Sequence, residues 1–202
     1  YVVTNSCQIN LKTSSKYPEA ILINDNWNGS SLDEYLLIEY YTPTGLNELD
    51  AKNKYDNRPI GFSKSGIKIY HVDSRIAKCH YDKTQYAVVF DEYVNEIPES
   101  YDSDIYYLIG ASNNNQDSRT DASRQGRYKQ VALIENKQYN KLQAGESADD
   151  DSLFYEGDVF DSSTSPYLLN GNWNNGKAID FTISVDKLTS EYATLTISYK
   201  GE

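Results

Sequence analysis

Apolar and polar positions alternate cleanly near the end of the chain. Ile179, Phe181, Ile183 and Val185 interleave with Asp180, Thr182 and Ser184, and Ala193, Leu195, Ile197 and Tyr199 interleave with Thr194, Thr196 and Ser198. Period two places each apolar set on one face of a strand, so residues 179–185 and 193–199, joined through 186–191, predict a half-buried antiparallel hairpin with a polar outer face. Earlier, residues 35–38 are apolar on both faces, as in a strand covered on both sides, and Glu39 stands at the end of that run. In 66–73, Ile67, Ile69 and His71 share one face and point toward the same interior. Residues 8–11, 20–23, 85–90, 105–109 and 129–134 are further short β-favouring runs bounded by Asn, Asp, Gly or Pro. Helical periodicity is thin, with one short helix expected over 136–144, ending at Gly145.

Many short strands separated by turn signals must each bury a face against another layer, which predicts an all-β, antiparallel, sandwich-like fold. Two arrangements stay open: a β domain over 1–112 and a C-terminal β subdomain over 127–202 across the polar stretch 113–126, or a single domain in which that stretch is a long surface loop.

The two segments Glu34-Tyr35-Leu36-Leu37-Ile38-Glu39-Tyr40 and Gly66-Ile67-Lys68-Ile69-Tyr70-His71-Val72-Asp73 resemble a paired pattern found downstream of the zinc site in immune inhibitor A-type secreted metallopeptidases. Val131-Ala132-Leu133-Ile134-Glu135 and the run 149–158, with its Leu153-Phe154 and Gly157-Asp158, are similar to segments that follow in the same family. The resemblance spans most of 34–158, specific at its two ends and weak in the middle. It implies motif positions at Glu34, Tyr35, Glu39, Gly45, Gly66, His71 and Asp73. The strand pattern itself delivers Glu39 and His71 to a buried sheet margin, where they could form an acid–imidazole pair. The bland reading of that pair, hydrogen bonding that satisfies buried polar groups, is the stronger one.

The family's catalytic helix carries His-Glu-x-x-His, two imidazoles one turn apart on zinc with the Glu as general base. This chain contains no such segment: its two histidines, His71 and His80, are nine positions apart. Tyr41-Thr42 stands where many relatives have Arg-Gln, so no role of that Arg carries over. The resemblance therefore implies a chain without catalytic residues of its own, the C-terminal, post-catalytic portion of a secreted enzyme, whose partner is the upstream protease domain of the same polypeptide. The rival expectation, from another class, is a free-standing extracellular module that binds glycan or protein.

A formal net charge of -11 over 202 residues argues against nucleic acid or an anionic membrane surface as partner. No apolar run reaches membrane-spanning length. Nineteen tyrosines offset a hydrophobic content of 39% by supplying large amphipathic side chains. A chain that begins at Tyr1 and lacks Met reads as a mature or excised piece of a longer precursor. A secreted or cell-surface location is what the resemblance implies, together with the acidic, Tyr-, Asn- and Ser-rich composition. Cys7 and Cys79 leave one disulfide open as a question, and with His71 and His80 they supply zinc-ligand residue types without the close Cys pair of structural sites. No cofactor is expected apart from calcium, for which Asp149, Asp151 and Asp158 offer hard oxygen ligands. Their spacing does not follow the EF-hand order, and a solvated acidic loop is the plainer reading. Trp27 and Trp173, in similar Asn- and Gly-bearing turns, carry planes that could stack on sugar rings or cover sheet edges.

Overall fold

The expected hairpin forms. Strands β11 (Phe181–Leu188) and β12 (Tyr192–Tyr199) pair antiparallel with Ile183 opposite Ile197 and Val185 opposite Leu195, and a bulge at Asp186 follows Val185. In this computed structural model, which describes residues 1–56, 59–109, 130–138, 141–142, 144–162 and 171–201, the remaining strands are β1 (Val2–Val3), β2 (Cys7–Lys12), β3 (Ile21–Ile23), β4 (Glu34–Tyr41), β5 (Gly66–Asp73), β6 (Ile76–Asp82), β7 (Ala87–Val94), β8 (Ile105–Ile109), β9 (Val131–Ile134) and β10 (Val159–Asp161). They build three sheets, of order β1-β3-β4-β5-β9, β10-β11-β12-β2 and β7-β6-β8. Pairing is largely antiparallel, with β1 on β3 as a parallel exception. Among the described residues no helix is long and apolar enough to cross a membrane.

The chain divides into two units, neither continuous in sequence: unit 1 is Tyr1–Asp25, Leu36–Tyr70 and Leu133–Glu202, and unit 2 is Asn26–Tyr35 and His71–Ala132. The sequence stretch 113–126 lies outside the described residues. Unit 1 is sandwich-like. Ile21, Ile23, Leu36, Ile38, Ile67 and Ile69 from one sheet and Phe181, Ile183, Val185, Leu195 and Ile197 from the other belong to one buried cluster. Each such side chain contributes about 1.5–3 kcal/mol on leaving water. The interior therefore comes directly from the period-two pattern read in the sequence. Tyr40 fits the same rule: its ring is buried and its hydroxyl donates to the Thr189 carbonyl.

Unit 2 centres on the antiparallel trio β7-β6-β8. One face is covered, with Ala77 and Cys79 fully buried. A bulge between Lys78 and Cys79 leaves Asp91 as an extra residue on β7.

One expectation is corrected. Residues 136–144 do not form a helix over their described part. They make only the 3-10 turn Asn136–Gln138, because Lys137 adopts φ 65, a left-handed conformation that cannot propagate an α-helix. The only α-helix among the described residues is α1 (Glu48–Lys52), a segment whose periodicity is too short to register in sequence. Strands β6 and β10 were not anticipated either: β6 mixes Lys78, His80 and Asp82 into its apolar run, and β10 is three residues long.

Candidate functional site

The two motif segments become β4 and β5, neighbours in one sheet. How their ends meet in unit 2 follows from the loop before β4. Asn28 Oδ1 accepts from the Ser30 amide at 2.8 Å in an Asx turn, and Asp33 accepts from the amides of Asn28 (3.1 Å) and Glu34 (2.8 Å). Just past β5, Ser74 donates its amide to the Asp33 carbonyl at 3.0 Å, and its hydroxyl to the Ser31 carbonyl at 2.5 Å with the Asp33 carbonyl a second acceptor at 3.1 Å. This clamp sets Glu34 beside the end of β5.

There four ionisable groups converge. Glu34 Oε1 lies 2.9 Å from His71 Nε2. Arg75 donates through Nε to Asp73 Oδ1 at 2.9 Å and through Nη2 to Asp73 Oδ2 at 2.8 Å, the fork that guanidinium and carboxylate geometry favours, and its Nη2 lies 3.4 Å from Glu34 Oε2. The guanidinium carbon sits 4.0 Å above the Tyr93 ring centroid. Glu34, His71 and Asp73 are 5%, 4% and 0% exposed. Burial alone lowers the affinity of Arg75 for its proton. The hydrogen bonds to Asp73, with the charges of Asp73, Glu34 and Asp33, outweigh it and hold the guanidinium above its usual range.

The acid partner of His71 is therefore Glu34, not Glu39. Five positions separate the two glutamates, and an odd separation sends them to opposite faces of β4. Glu39 lies on the outer face, about a quarter exposed rather than largely buried, accepting from the Tyr70 hydroxyl at 3.1 Å and facing Lys68 Nζ at 3.2 Å. That ammonium sits 4.1 Å from the Tyr41 ring centroid and 5.0 Å from that of Phe62. Tyr41 caps Phe62 edge-on and donates its hydroxyl to the Phe62 carbonyl at 2.8 Å. Burial first, then the charge and hydrogen bond of Glu39, push the Tyr70 phenol well above its usual range. Thr42 closes a buried ring of hydroxyls with Thr13 (2.6 Å) and Ser15 (2.7 Å), themselves 2.9 Å apart. Tyr41 and Thr42 thus have packing and hydrogen-bonding tasks of their own. Tyr35, the remaining motif position on β4, is half-buried and meets Trp27 edge-on.

Both motif glycines answer to close approach. Gly45 adopts φ 60, and a Cβ there would stand 2.8 Å from the Ser15 carbonyl oxygen. A Cβ on Gly66 would stand 2.8 Å from Leu153 Cβ and 3.2 Å from the Phe154 carbonyl oxygen. At the same place Ile67 and Phe154 exchange two backbone hydrogen bonds, of 2.9 and 3.0 Å. The segment around Leu153-Phe154 is thereby stitched to the start of β5.

The acidic run is spent on local structure. Asp149 caps the 3-10 turn Asp150–Ser152 and binds Lys141 at 2.5 Å, and that hydrogen bond holds its carboxyl below the usual range. Asp150 accepts from the Ser63 amide (2.7 Å), the Ser63 hydroxyl (2.6 Å) and the Lys64 amide (3.1 Å). Asp158 accepts from Asn136 and the Tyr155 amide at 2.7 and 2.8 Å. Asp149, Asp151 and Asp158 are not brought together, and among the described residues no group of three His, Cys, Asp or Glu side chains is arranged to hold a metal ion. Cys7 and Cys79 are not bridged. His80 lies on the half-exposed face of β6, opposite in direction to Cys79, with Nδ1 2.6 Å from Asp91 Oδ1. Trp173 is buried against Phe181 and has no ring face to offer a sugar.

Arg75, Tyr93, Lys68 and Tyr70 are the members of these clusters that sequence reading missed. For Lys68 and Tyr70 the signal was present, since they alternate with Ile67, Ile69 and His71 and must share the outer face with each other. Nothing in the sequence marked Tyr93. Chemically, the Glu34–His71 pair has the form of an oriented imidazole base, joins β4 to β5, and is buried, each side chain 5% exposed. Comparison of the chain with protein-family models, with curated proteins and with solved structures yields no match.

Proposed function

We propose that the chain is the non-catalytic, β-rich C-terminal portion of a secreted zinc metallopeptidase of the immune inhibitor A type, where it packs on and supports the protease domain. The observation that favours this reading is the use to which the resembling segments are put. Each ionisable motif residue is consumed in an internal tie: Glu34 with His71, Asp73 with Arg75, Glu39 with Lys68 and Tyr70. Gly66 and Gly45 allow backbone contact that no other residue permits. Motif positions with such tasks belong to a scaffold. A scaffold acts on a neighbouring catalytic domain by binding its folded form alone, which stabilises that form by about 2.7 kcal/mol when present at a hundred times the dissociation constant.

The test is the polypeptide encoded immediately before Tyr1. The reading requires a His-Glu-x-x-His segment there, and a protease domain bearing it that co-purifies with the present chain and melts at a higher temperature in its presence. A linker or an unrelated module in that position would overturn it.

A further inference from the structure

Asn-Gly pairs occur in the chain at 28–29, 170–171 and 175–176, of which Asn170 lies outside the described residues. The other two differ in what holds the glycine nitrogen. Asn28 is exposed; its Oδ1 accepts from the Ser30 amide at 2.8 Å, and its Nδ2 donates to the Leu32 carbonyl at 3.3 Å. The Gly29 amide donates to no group among the described residues, and a Cβ at Gly29 would meet no atom within 4 Å. Asn175 is likewise exposed and accepts from the Lys177 amide at 2.9 Å. There, however, the Gly176 amide donates to the Trp173 carbonyl at 2.9 Å and the Trp173 amide to the Lys177 carbonyl at 2.9 Å, which closes the turn on itself.

We propose that Asn28-Gly29 is a site of spontaneous modification, at which Asn28 passes through a succinimide to aspartate and isoaspartate and the tie between Asp33 and Ser74 is loosened. In the first step the Gly29 amide gives its proton to hydroxide and its nitrogen bonds to Asn28 Cγ, closing the succinimide ring. The Cγ–Nδ2 bond breaks, and Nδ2 takes a proton from water and leaves as ammonia. Water then opens the ring, with no change of oxidation state: attack at Cγ gives aspartate, and attack at the former backbone carbonyl gives isoaspartate, whose chain runs through Cβ. The Ser30 amide, aimed at Oδ1, stabilises the oxyanion that forms there as the nitrogen attacks. The attacking nitrogen of Gly29 has no hydrogen bond to give up and no Cβ beside it, whereas that of Gly176 must first leave the Trp173 carbonyl. The Asn28 amide donates to Asp33 Oδ2 at 3.1 Å, so either product sets a second carboxylate near that of Asp33. Isoaspartate also lengthens the backbone of the loop whose Ser31 and Asp33 carbonyls hold Ser74. The proposal does not depend on membership of a peptidase.

Incubation of the whole chain at pH 8 and 37 °C, followed by peptide mapping, tests it. The Asn28 peptide gains one dalton and becomes a substrate for enzymatic methylation of isoaspartate about fivefold faster than the Asn175 peptide, the factor that one backbone hydrogen bond imposes. Asn28→Gln abolishes the methylation of that peptide. In a Trp173→Phe background the aged chain unfolds at a lower urea midpoint than the fresh one, read from Trp27 fluorescence, and the Asn28→Gln chain aged in parallel keeps its midpoint. The comparison of Asn28 with Asn175, and of aged with fresh chain, needs no substitution at Asn28 and stays decisive if Asn28→Gln does not fold. Modification at Asn28 no faster than at Asn175, aspartate formed without isoaspartate, or an aged chain with an unchanged midpoint would overturn the proposal.

Discussion

Substituting Arg75 with Met tests whether the charges at the β4–β5 margin hold unit 2 together. The side chain keeps its length and loses two charge-assisted bonds to Asp73, at 2.8 and 2.9 Å, together with its position above Tyr93. Bonds of that type are worth about 1.5–3 kcal/mol each, and the ring contact about 0.5–2 kcal/mol. Against these stands the cost of desolvating the guanidinium, and removing one partner from a buried pair comes out near 3–5 kcal/mol. Trp27 lies in the same unit, so its fluorescence in a Trp173→Phe background reports the relevant urea transition. With a slope of about 1–1.5 kcal/mol/M for a small unit, the midpoint falls by roughly 2–5 M. The deficit also depends on pH. Without Arg75 the Asp73 carboxylate sits buried beside fewer positive charges, which raises its folded pKa above the unfolded value of about 3.9. Stability linked to a raised pKa is fully present below the unfolded value and lost as pH rises through the folded one, so the gap between wild type and variant is smaller at pH 4 than at pH 7. Asp73→Asn added to Arg75→Met restores part of the loss. A deficit under about 1 kcal/mol, unchanged by pH and by the second substitution, would refute the reasoning.

Gly66→Ala places a methyl group 2.8 Å from Leu153 Cβ and destabilises unit 1 by about 1–3 kcal/mol, read from the Trp173 transition in urea, and a neutral Gly66→Ala would contradict the packing described. Gly45→Ala adds left-handed strain at φ 60 to a collision with the Ser15 carbonyl, and costs at least about 1 kcal/mol in the same assay. Burial holds Tyr70 above its usual range, and burial with Asp150, Asp151 and Asp149 pushes Tyr155 up to about 12. Both pKa values are raised, so the linked stability is intact below about pH 10 and is lost above it; Tyr70→Phe flattens that alkaline loss in circular dichroism, and an equally steep loss would count against a buried Tyr70.

What could be read in the sequence was whatever period two controls. The β11–β12 hairpin, the inward face of Ile67, Ile69 and His71, and the all-β class follow from alternation alone. Parity also held the answer to the partner of His71, since Glu34 shares a face with Leu36, Ile38 and Tyr40 while Glu39 does not. The apolar run before Glu39 drew the reading to the wrong glutamate. Other features depend on contacts between residues distant in sequence. Tyr93 reaches Arg75 only through the register of β6 on β7, and the need for glycine at 66 comes from Leu153, 87 positions away. The helix expected at 136–144 fails at one backbone angle, that of Lys137, which propensity does not foresee. The acidic run 149–158 read as a candidate ion site because composition shows carboxylates and not the amides, hydroxyls and Lys141 that engage Asp149, Asp150 and Asp158.

The central claim is that this chain supports a catalytic domain and does no hydrolysis itself. Zinc content measured after dialysis, together with peptide cleavage measured with and without added zinc and with chelator, tests it most directly. Hydrolysis by the suspected family needs imidazoles that share one metal, an open coordination position and an adjacent carboxylate to take a proton from bound water; here His71 is committed to Glu34 and His80 to Asp91. The account predicts zinc far below one equivalent and no cleavage above background. Zinc retained near one equivalent, with chelator-sensitive cleavage that survives repurification, would contradict it.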